Sequence, residues 1–228
     1  MSAPALVFPR SSVAHLGVRL LQMGLGEELQ WKALEMLVQK PFVPSGGNTA
    51  LPLFKMDGTD TKHTLPLQFT RVIQFDADNV DRYLARTDVD YKLGKGDFVI
   101  SYPNFPAIDL FGCTRDGTAV FIQVSLSSYK AKRSQEKDLR ALFKPRGELR
   151  GHSVYDFFRL AINDATILPA RATTAADNSL CATAKYVFVT TTKAQGVTAA
   201  TAGDAHLCNY DLLKTFHGEL AALFPAKD

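Results

Sequence analysis

Residues Tyr102–Ser125 read Tyr-Pro-Asn-Phe-Pro-Ala-Ile-Asp-Leu-Phe-Gly-Cys-Thr-Arg-Asp-Gly-Thr-Ala-Val-Phe-Ile-Gln-Val-Ser. Two apolar runs, Ala107–Phe111 and Thr118–Val124, flank Thr114-Arg115-Asp116-Gly117. Asp-Gly between two such runs is a strong hairpin signal, so the spacing predicts two antiparallel strands. One carboxylate, Asp109, interrupts the first run and one amide, Gln123, interrupts the second. A carboxylate inside a buried strand costs several kcal/mol, roughly, unless it is paired, hydrogen-bonded or on a metal. Asp109 is therefore the residue that needs a reason. Gln123 follows it by fourteen positions, a separation that lets an antiparallel pair bring both to one end of a sheet. Two oxygen-bearing side chains there can hold Mg²⁺, which polarises a phosphate and activates water.

Outward from this hairpin, Gln68–Phe75 alternates and is β-branched, which predicts a strand, and Asp97–Ser101 a short one. Asp78 or Asn79 can cap a short helix through Ala85. Earlier, Glu27–Val38 carries Trp31, Leu34 and Val38 on one helical face, after a first helix capped by Ser11 or Ser12 and broken at Gly24 and Gly26. Residues 44–64 are polar and Gly-rich and read as a loop. Downstream, Ser127–Phe143 reads as a loop running into a charged helix. Ser153 caps a helix over Val154–Ile162, and Lys185–Thr191 is a strand. Leu207–Tyr210 is a short apolar piece, and Asp211 caps a last helix over Leu212–Phe224. This order predicts an α/β (α+β) fold, a mixed central sheet with flanking helices. Residues 1–23 are expected to form an N-terminal extension and residues 24–228 the domain.

The 228 residues are 46% hydrophobic and 21% charged, enough apolar content for a substantial core. A net charge of +3 does not by itself imply a nucleic-acid partner. Its distribution is more telling. Lys130, Lys132, Arg133, Lys137, Arg140, Lys144, Arg146 and Arg150 lie against only Glu136, Asp138 and Glu148. This basic segment directly follows the hairpin and can bind phosphates, with Tyr129 available to stack on a base. Its ordinary alternative is a solvated helix face. The cysteines, Cys113, Cys181 and Cys208, fit neither a disulfide framework nor a zinc pattern and point to a reducing intracellular compartment. No run is long enough to span a membrane. The N-terminus lacks the pattern of a secretory signal, although His15, Arg19 and the serines leave a mitochondrial import sequence as an alternative.

The layout of a helix with a glutamate, a strand with Asp, a strand with an acidic or amide residue, then a helix and another strand resembles the PD-(D/E)xK nuclease superfamily. More narrowly, Tyr102-Pro-Asn-Phe-Pro-Ala-Ile-Asp-Leu-Phe followed by Phe121-Ile-Gln-Val-Ser resembles the restriction-endonuclease-like domain of trypanosomatid retrotransposon hot spot proteins and Crinkler effectors. The resemblance covers residues 95–145 and extends in outline from Gly24 to Phe224. It implies a restriction-endonuclease-like fold, a nucleic-acid partner (DNA or RNA), a nuclear setting and, for an active member, Mg²⁺. Asp109 matches the motif aspartate and Gln123 the second metal-ligand position, so both are the candidate metal and catalytic residues. Glu28, or its neighbour Glu27, matches the helix glutamate; favourable charge near a helix N-terminus is the alternative for both.

The chain departs from the pattern at Ser125, where such a nuclease usually has lysine to orient water and stabilise negative charge. Lys130 or Lys132 can supply that ammonium from the next segment. The ATPase domain of those proteins is not expected, because no Gly-x-x-x-x-Gly-Lys-Ser/Thr occurs. The expectation is a nucleic-acid-associated protein with a degenerate, weakly active or inactive nuclease-like fold. Lys130, Lys132, Arg133, Lys137 and Arg140 are its nucleic-acid contacts, with Lys130 also a candidate catalytic group. Two alternatives stay open. One is an active Mg²⁺-dependent endonuclease. The other is a protein–protein or assembly subunit using the fold as a scaffold. Asp109 can also be a structural carboxylate paired with Arg115.

Overall fold

The computed structural model describes residues 34, 35, 38, 49–55, 62–85, 91–172, 179–193 and 204–216. At its centre is the expected hairpin. Strands β5 (Leu110–Cys113) and β6 (Ala119–Ser125) pair antiparallel, with Leu110 opposite Ile122 and Cys113 opposite Ala119. The turn closes where Thr114 donates its N–H to the Thr118 carbonyl at 2.9 Å and Gly117, at φ 89°, donates to the Thr114 carbonyl at 3.0 Å. Glycine takes that left-handed conformation without a Cβ penalty. The first strand is shifted from its expected span: Asp109 stands one residue before β5, not late within it.

Eight strands form one mixed sheet. In chain order the others are β1 (Thr49–Lys55), β2 (Lys62–Leu67), β3 (Arg71–Gln74), β4 (Asp97–Ile100), β7 (Ala184–Thr190) and β8 (Ala205–Cys208). Their spatial order is β2-β1-β8-β7-β6-β5-β4-β3. β6, β7 and β8 run parallel, as do β3 and β4, while the remaining neighbours are antiparallel. Helices α1 (Val80–Leu84), α2 (Tyr129–Ser134), α3 (Val154–Ala161) and α4 (Tyr210–Phe216) complete the described elements. The mixed α/β class expected from the sequence is what forms.

Side chains alternate across a strand, so each strand feeds two cores. Phe111, Phe121, Tyr186 and Phe188 face α1 to α3. There Phe158 of α3 stacks on Phe111 with ring centroids 3.9 Å apart, and Phe75, Phe105 and Phe157 pack around it. Leu110, Val120, Ile122, Val187 and Val189 face the other way, onto Leu34, Val38, Leu212 and Leu213. This alternation puts Asp109 and Gln123, two residues from Phe111 and Phe121 respectively, on the α2–α3 side.

Several local expectations change. The stretch read as a polar loop contains β1 and the first half of the edge strand β2, with Leu51 opposite Leu65 and Leu53 opposite His63. Prolines masked the signal, yet both sit where a missing N–H is tolerated. Pro66 is on the edge strand, and Pro52 lies outside the short span over which β1 pairs with β8. The strand expected over Gln68–Phe75 narrows to β3. The charged helix is interrupted: α2 ends at Ser134, and Leu139–Phe143 is a separate 3₁₀ turn. The last helix is capped by Asn209, whose side chain accepts the Leu212 N–H at 3.1 Å, and not by Asp211. Of the helix expected over Glu27–Val38, Leu34, Glu35 and Val38 are described and are helical; its other residues, with Trp31, the first expected helix and the segment 217–224 lie outside the described residues. Ser153 caps α3 as expected, accepting the Asp156 N–H at 3.1 Å.

An ion pair not anticipated from sequence ties the β3 edge. Arg71 reaches Asp97 through Nε at 2.7 Å and Nη2 at 2.6 Å, and Asp97 also accepts the Gly94 N–H at 2.8 Å. This bidentate geometry keeps a nearly buried carboxylate satisfied.

Gly112 is required by close packing. A Cβ there would lie 2.4 Å from the Phe69 ring, which packs on Phe98. Gly112→Ala is expected to lower stability by about 1–3 kcal/mol in urea unfolding. Combining it with Phe69→Leu should shrink that penalty. An unchanged unfolding midpoint would contradict this packing.

Candidate functional site

The backbone of Asp109 is held on both sides. Its N–H donates to the Ile122 carbonyl at 2.9 Å, and its carbonyl accepts the Ser101 N–H, just beyond β4, at 3.0 Å. Asp109 and Gln123 lie just beyond the last β5–β6 pair, Leu110 opposite Ile122, and share one cavity wall. The carboxylate Oδ2 accepts the Val124 N–H at 2.6 Å. Gln123 is held by its other neighbour strand: its Oε1 accepts the Tyr186 hydroxyl at 2.6 Å. Tyr186 is fully buried, and burial pushes its hydroxyl well above the usual phenol range, so it remains a donor at neutral pH.

Asp109 and Gln123 line an open cavity of about 360 Å³, together with Lys132, Lys137 and Arg146. The local chain explains how three cations reach one place. Ser128 caps α2 by accepting the Ala131 N–H at 3.2 Å. The helix ends in a Schellman turn, with Glu136 in the left-handed region at φ 55°. There Lys137 donates its N–H to the Lys132 carbonyl at 2.9 Å, and Glu136 donates to the Arg133 carbonyl at 2.9 Å. The turn folds Lys137 back beside the helix that carries Lys132. Arg146 is fixed by its main chain, donating to the His152 carbonyl at 3.0 Å and accepting the Gly151 N–H at 2.8 Å. Its side-chain Nε is buried without a hydrogen-bond partner.

Asn104, Phe105, Pro106 and Ala107 supply another part of the lining. Asn104 and Ala107 both hold positive φ, 66° and 65°. Ile108 donates its N–H to the Pro106 carbonyl at 2.9 Å, which makes a tight three-residue turn centred on Ala107. Such a conformation costs an alanine about 1–3 kcal/mol and persists only where the surroundings impose it. Here the buried Phe105 and Ile108 side chains anchor the turn in the aromatic core.

The lining carries three cations against one carboxylate. Lys132 is half-buried, and its ammonium is pushed below the usual lysine range, first by burial and then by Lys137. Asp109 pulls it partly back. The cavity therefore favours an incoming anion, which would relieve the crowding of positive charge. Thiol chemistry is disfavoured at Cys113 and Cys208, because burial pushes their thiols up to about 12.

The other expected contacts are distributed differently. Lys130 is exposed and does not line the cavity, and Arg133 does not line it either. Arg140 is engaged at 3.0 Å with Asp138 and donates to the Arg133 carbonyl at 2.7 Å. Lys144 pairs with Glu136, and Arg150 pairs with Asp81 at 2.6 Å. Tyr129 is buried with its ring edge-on to Phe188, so it does not offer a stacking face to a base. Ser125 is buried, its hydroxyl accepting the Ser127 N–H at 3.0 Å. Arg115 is exposed on the hairpin turn, outside the cavity lining. Glu28 lies outside the described residues. Among the described residues no group of three or more His, Cys, Asp or Glu is placed to hold a metal ion. Arg146 was missing from the expected contacts. Its only sequence signal was membership of the basic run, because the turn that positions it depends on tertiary hydrogen bonds.

Fold and site together define a mixed α/β protein with a cationic cavity beside the end of its central hairpin. No protein-family model, curated protein or solved structure matches the chain.

Asp109 has a structural task whatever the cavity binds. Asp109→Ala removes the acceptor of the Val124 N–H and is expected to cost about 1–3 kcal/mol in urea unfolding. Asp109→Asn keeps a carbonyl oxygen at that position and should lose less. Equal losses in the two variants would contradict the role of that hydrogen bond.

Proposed function

We propose that this chain binds nucleic acid by drawing a phosphate into the cavity, on a restriction-endonuclease-like frame whose hydrolytic chemistry is weakened. The carrying observation is the convergence of Lys132, Lys137 and Arg146 on the ledge made by Asp109 and Gln123. Lysine and arginine around a concave site give the salt-sensitive, sequence-independent affinity of phosphate binding. The chain order adds support. A hairpin bearing Asp109 and Gln123 leads through helices to β7, parallel to β6, the layout implied by the resemblance to the PD-(D/E)xK superfamily.

One observation favours a second reading, residual Mg²⁺-dependent endonuclease activity. Lys132 of α2 lines the same cavity as Asp109 and Gln123, where it would supply the ammonium expected two residues after Gln123, at the position of Ser125. Asp109 and Gln123 are the donors that would hold an ion, and both already accept hydrogen bonds from the protein. A single carboxylate and an amide suit a weakly held Mg²⁺ that takes its other ligands from water and phosphate. Such an ion would polarise the phosphate. Lys132, beside it, would orient water and offset developing negative charge.

Fluorescence anisotropy with labelled single-stranded DNA, duplex DNA and RNA tests the first reading. Affinity should fall between about 50 and 200 mM salt. Lys132→Glu combined with Lys137→Glu should weaken binding by about ten-fold or more and flatten the salt slope by about one to two units. Lys130→Glu, on an exposed residue outside the cavity, should weaken it much less. No binding to any of the three at low salt would refute the reading. In the same preparation, plasmid nicking with Mg²⁺ or Mn²⁺ that is lost in Asp109→Asn and Lys132→Met would establish the second reading; nicking unaffected by both would remove these residues from it.

A further inference from the structure

We infer that the cavity is built for the terminal phosphomonoester of a nucleic-acid strand, with Arg146 and Lys137 as its principal holders. This rests on the nucleic-acid reading above and deepens it. Three observations lead there. The first is charge. Lys132, Lys137 and Arg146 stand against the single carboxylate of Asp109, an excess of two positive charges around one small space. A phosphodiester inside a strand brings one negative charge. A terminal phosphomonoester brings close to two at neutral pH, because its second ionisation lies near pH 6.

The second is Arg146. An arginine offers five N–H donors in a planar fork that matches phosphate oxygens. Among the buried side-chain polar atoms of the described residues, Arg146 Nε is one of the few without a partner, and Arg146 belongs to the cavity lining. Buried donors are normally satisfied, so an orphan beside an opening marks where an acceptor belongs. The main chain of Arg146 is pinned by the His152 carbonyl and the Gly151 N–H, which fixes where its side chain starts at the cavity wall.

The third is size. About 360 Å³ lies at the small end of ligand pockets, room for a group of nucleotide size and far too little for a duplex. Asn104, Pro106 and Ala107 contribute to its lining through a turn held rigid by Phe105 and Ile108. A strand end can enter such a space with its last nucleotide.

The same phosphate chemistry could come from a strand end or from a free mononucleotide, and the assay separates them. Anisotropy is measured with one single-stranded oligonucleotide in three forms: 5′-phosphorylated, 3′-phosphorylated and without a terminal phosphate. One phosphorylated form should bind about ten-fold more tightly than the unphosphorylated strand. In Arg146→Gln that ratio should fall towards one. If this variant fails to fold by circular dichroism, Lys137→Gln should reduce the ratio in the same way. Equal affinity for all three forms would overturn the inference while leaving nucleic-acid binding intact. Failure to bind any form would overturn both. Displacement by a nucleoside 5′-monophosphate as effective as by the phosphorylated strand would also overturn it, assigning the cavity to a small molecule.

Discussion

The hydrogen bond from the Val124 N–H to the Asp109 carboxylate, 2.6 Å long, is the contact on which the rest of the site depends. It stands at the edge between a fully apolar sheet interior and an open cavity. Without a donor there, a carboxylate next to Leu110 and Ile108 would be a costly intrusion into the core. With it, the acid becomes the continuation of the β5–β6 ladder by other means: the main chain of Asp109 pairs with Ile122 and its side chain with Val124. The hairpin thus ends on an oriented negative charge. Gln123, fixed by Tyr186 from β7, lines the same cavity and completes a rigid polar ledge.

Three basic groups around that ledge are held by loop geometry more than by mutual attraction. The Schellman turn at Glu136 returns Lys137 to Lys132, and the 3₁₀ turn over Gly147–Leu149 holds Arg146. Burial first, and then repulsion from Lys137, pushes the Lys132 ammonium below the usual lysine range despite its neighbouring carboxylate. The surrounding aromatic core, with Phe158 stacked on Phe111 and Phe105 anchored beside Phe157, makes the arrangement affordable. Concentrated charge of one sign, kept on a rigid frame, is stored binding free energy for a ligand of the opposite sign.

Much of this was legible in the residues, for physical reasons that differ from element to element. The hairpin announced itself because Asp116-Gly117 and the flanking apolar runs agree locally with the global fold. The α3 cap at Ser153 and the strand around Tyr186 to Val189 were readable for the same reason. β1 and β2 were not, because Pro52, Pro66 and the surrounding glycines look like loop until the sheet edge that tolerates them is known. The basic run was recognised as a segment, but its part up to Phe143 was read as a loop running into one charged helix, without the break after Ser134. Glu136 adopts a left-handed conformation usually given to glycine, so nothing in its identity announced the break. As a result Lys130, Arg133 and Arg140 were expected at the site beside Lys132 and Lys137, whereas only the last two line it, joined by Arg146. Tyr129 was read as a surface ring, but its ring fills the core against Phe188, which local pattern could not settle.

Lys132 reports most directly on the central claim, that this cavity is an anion site made by crowded cations over Asp109. Its side-chain carbon shift can be followed by NMR against pH, in the free protein and with a short oligonucleotide added. The account predicts that Lys132 titrates below an ordinary lysine in the free protein and moves upward when the strand binds, because a bound phosphate favours the charged ammonium. A Lys132 that titrates like an exposed lysine, and does not respond to the strand, would contradict it.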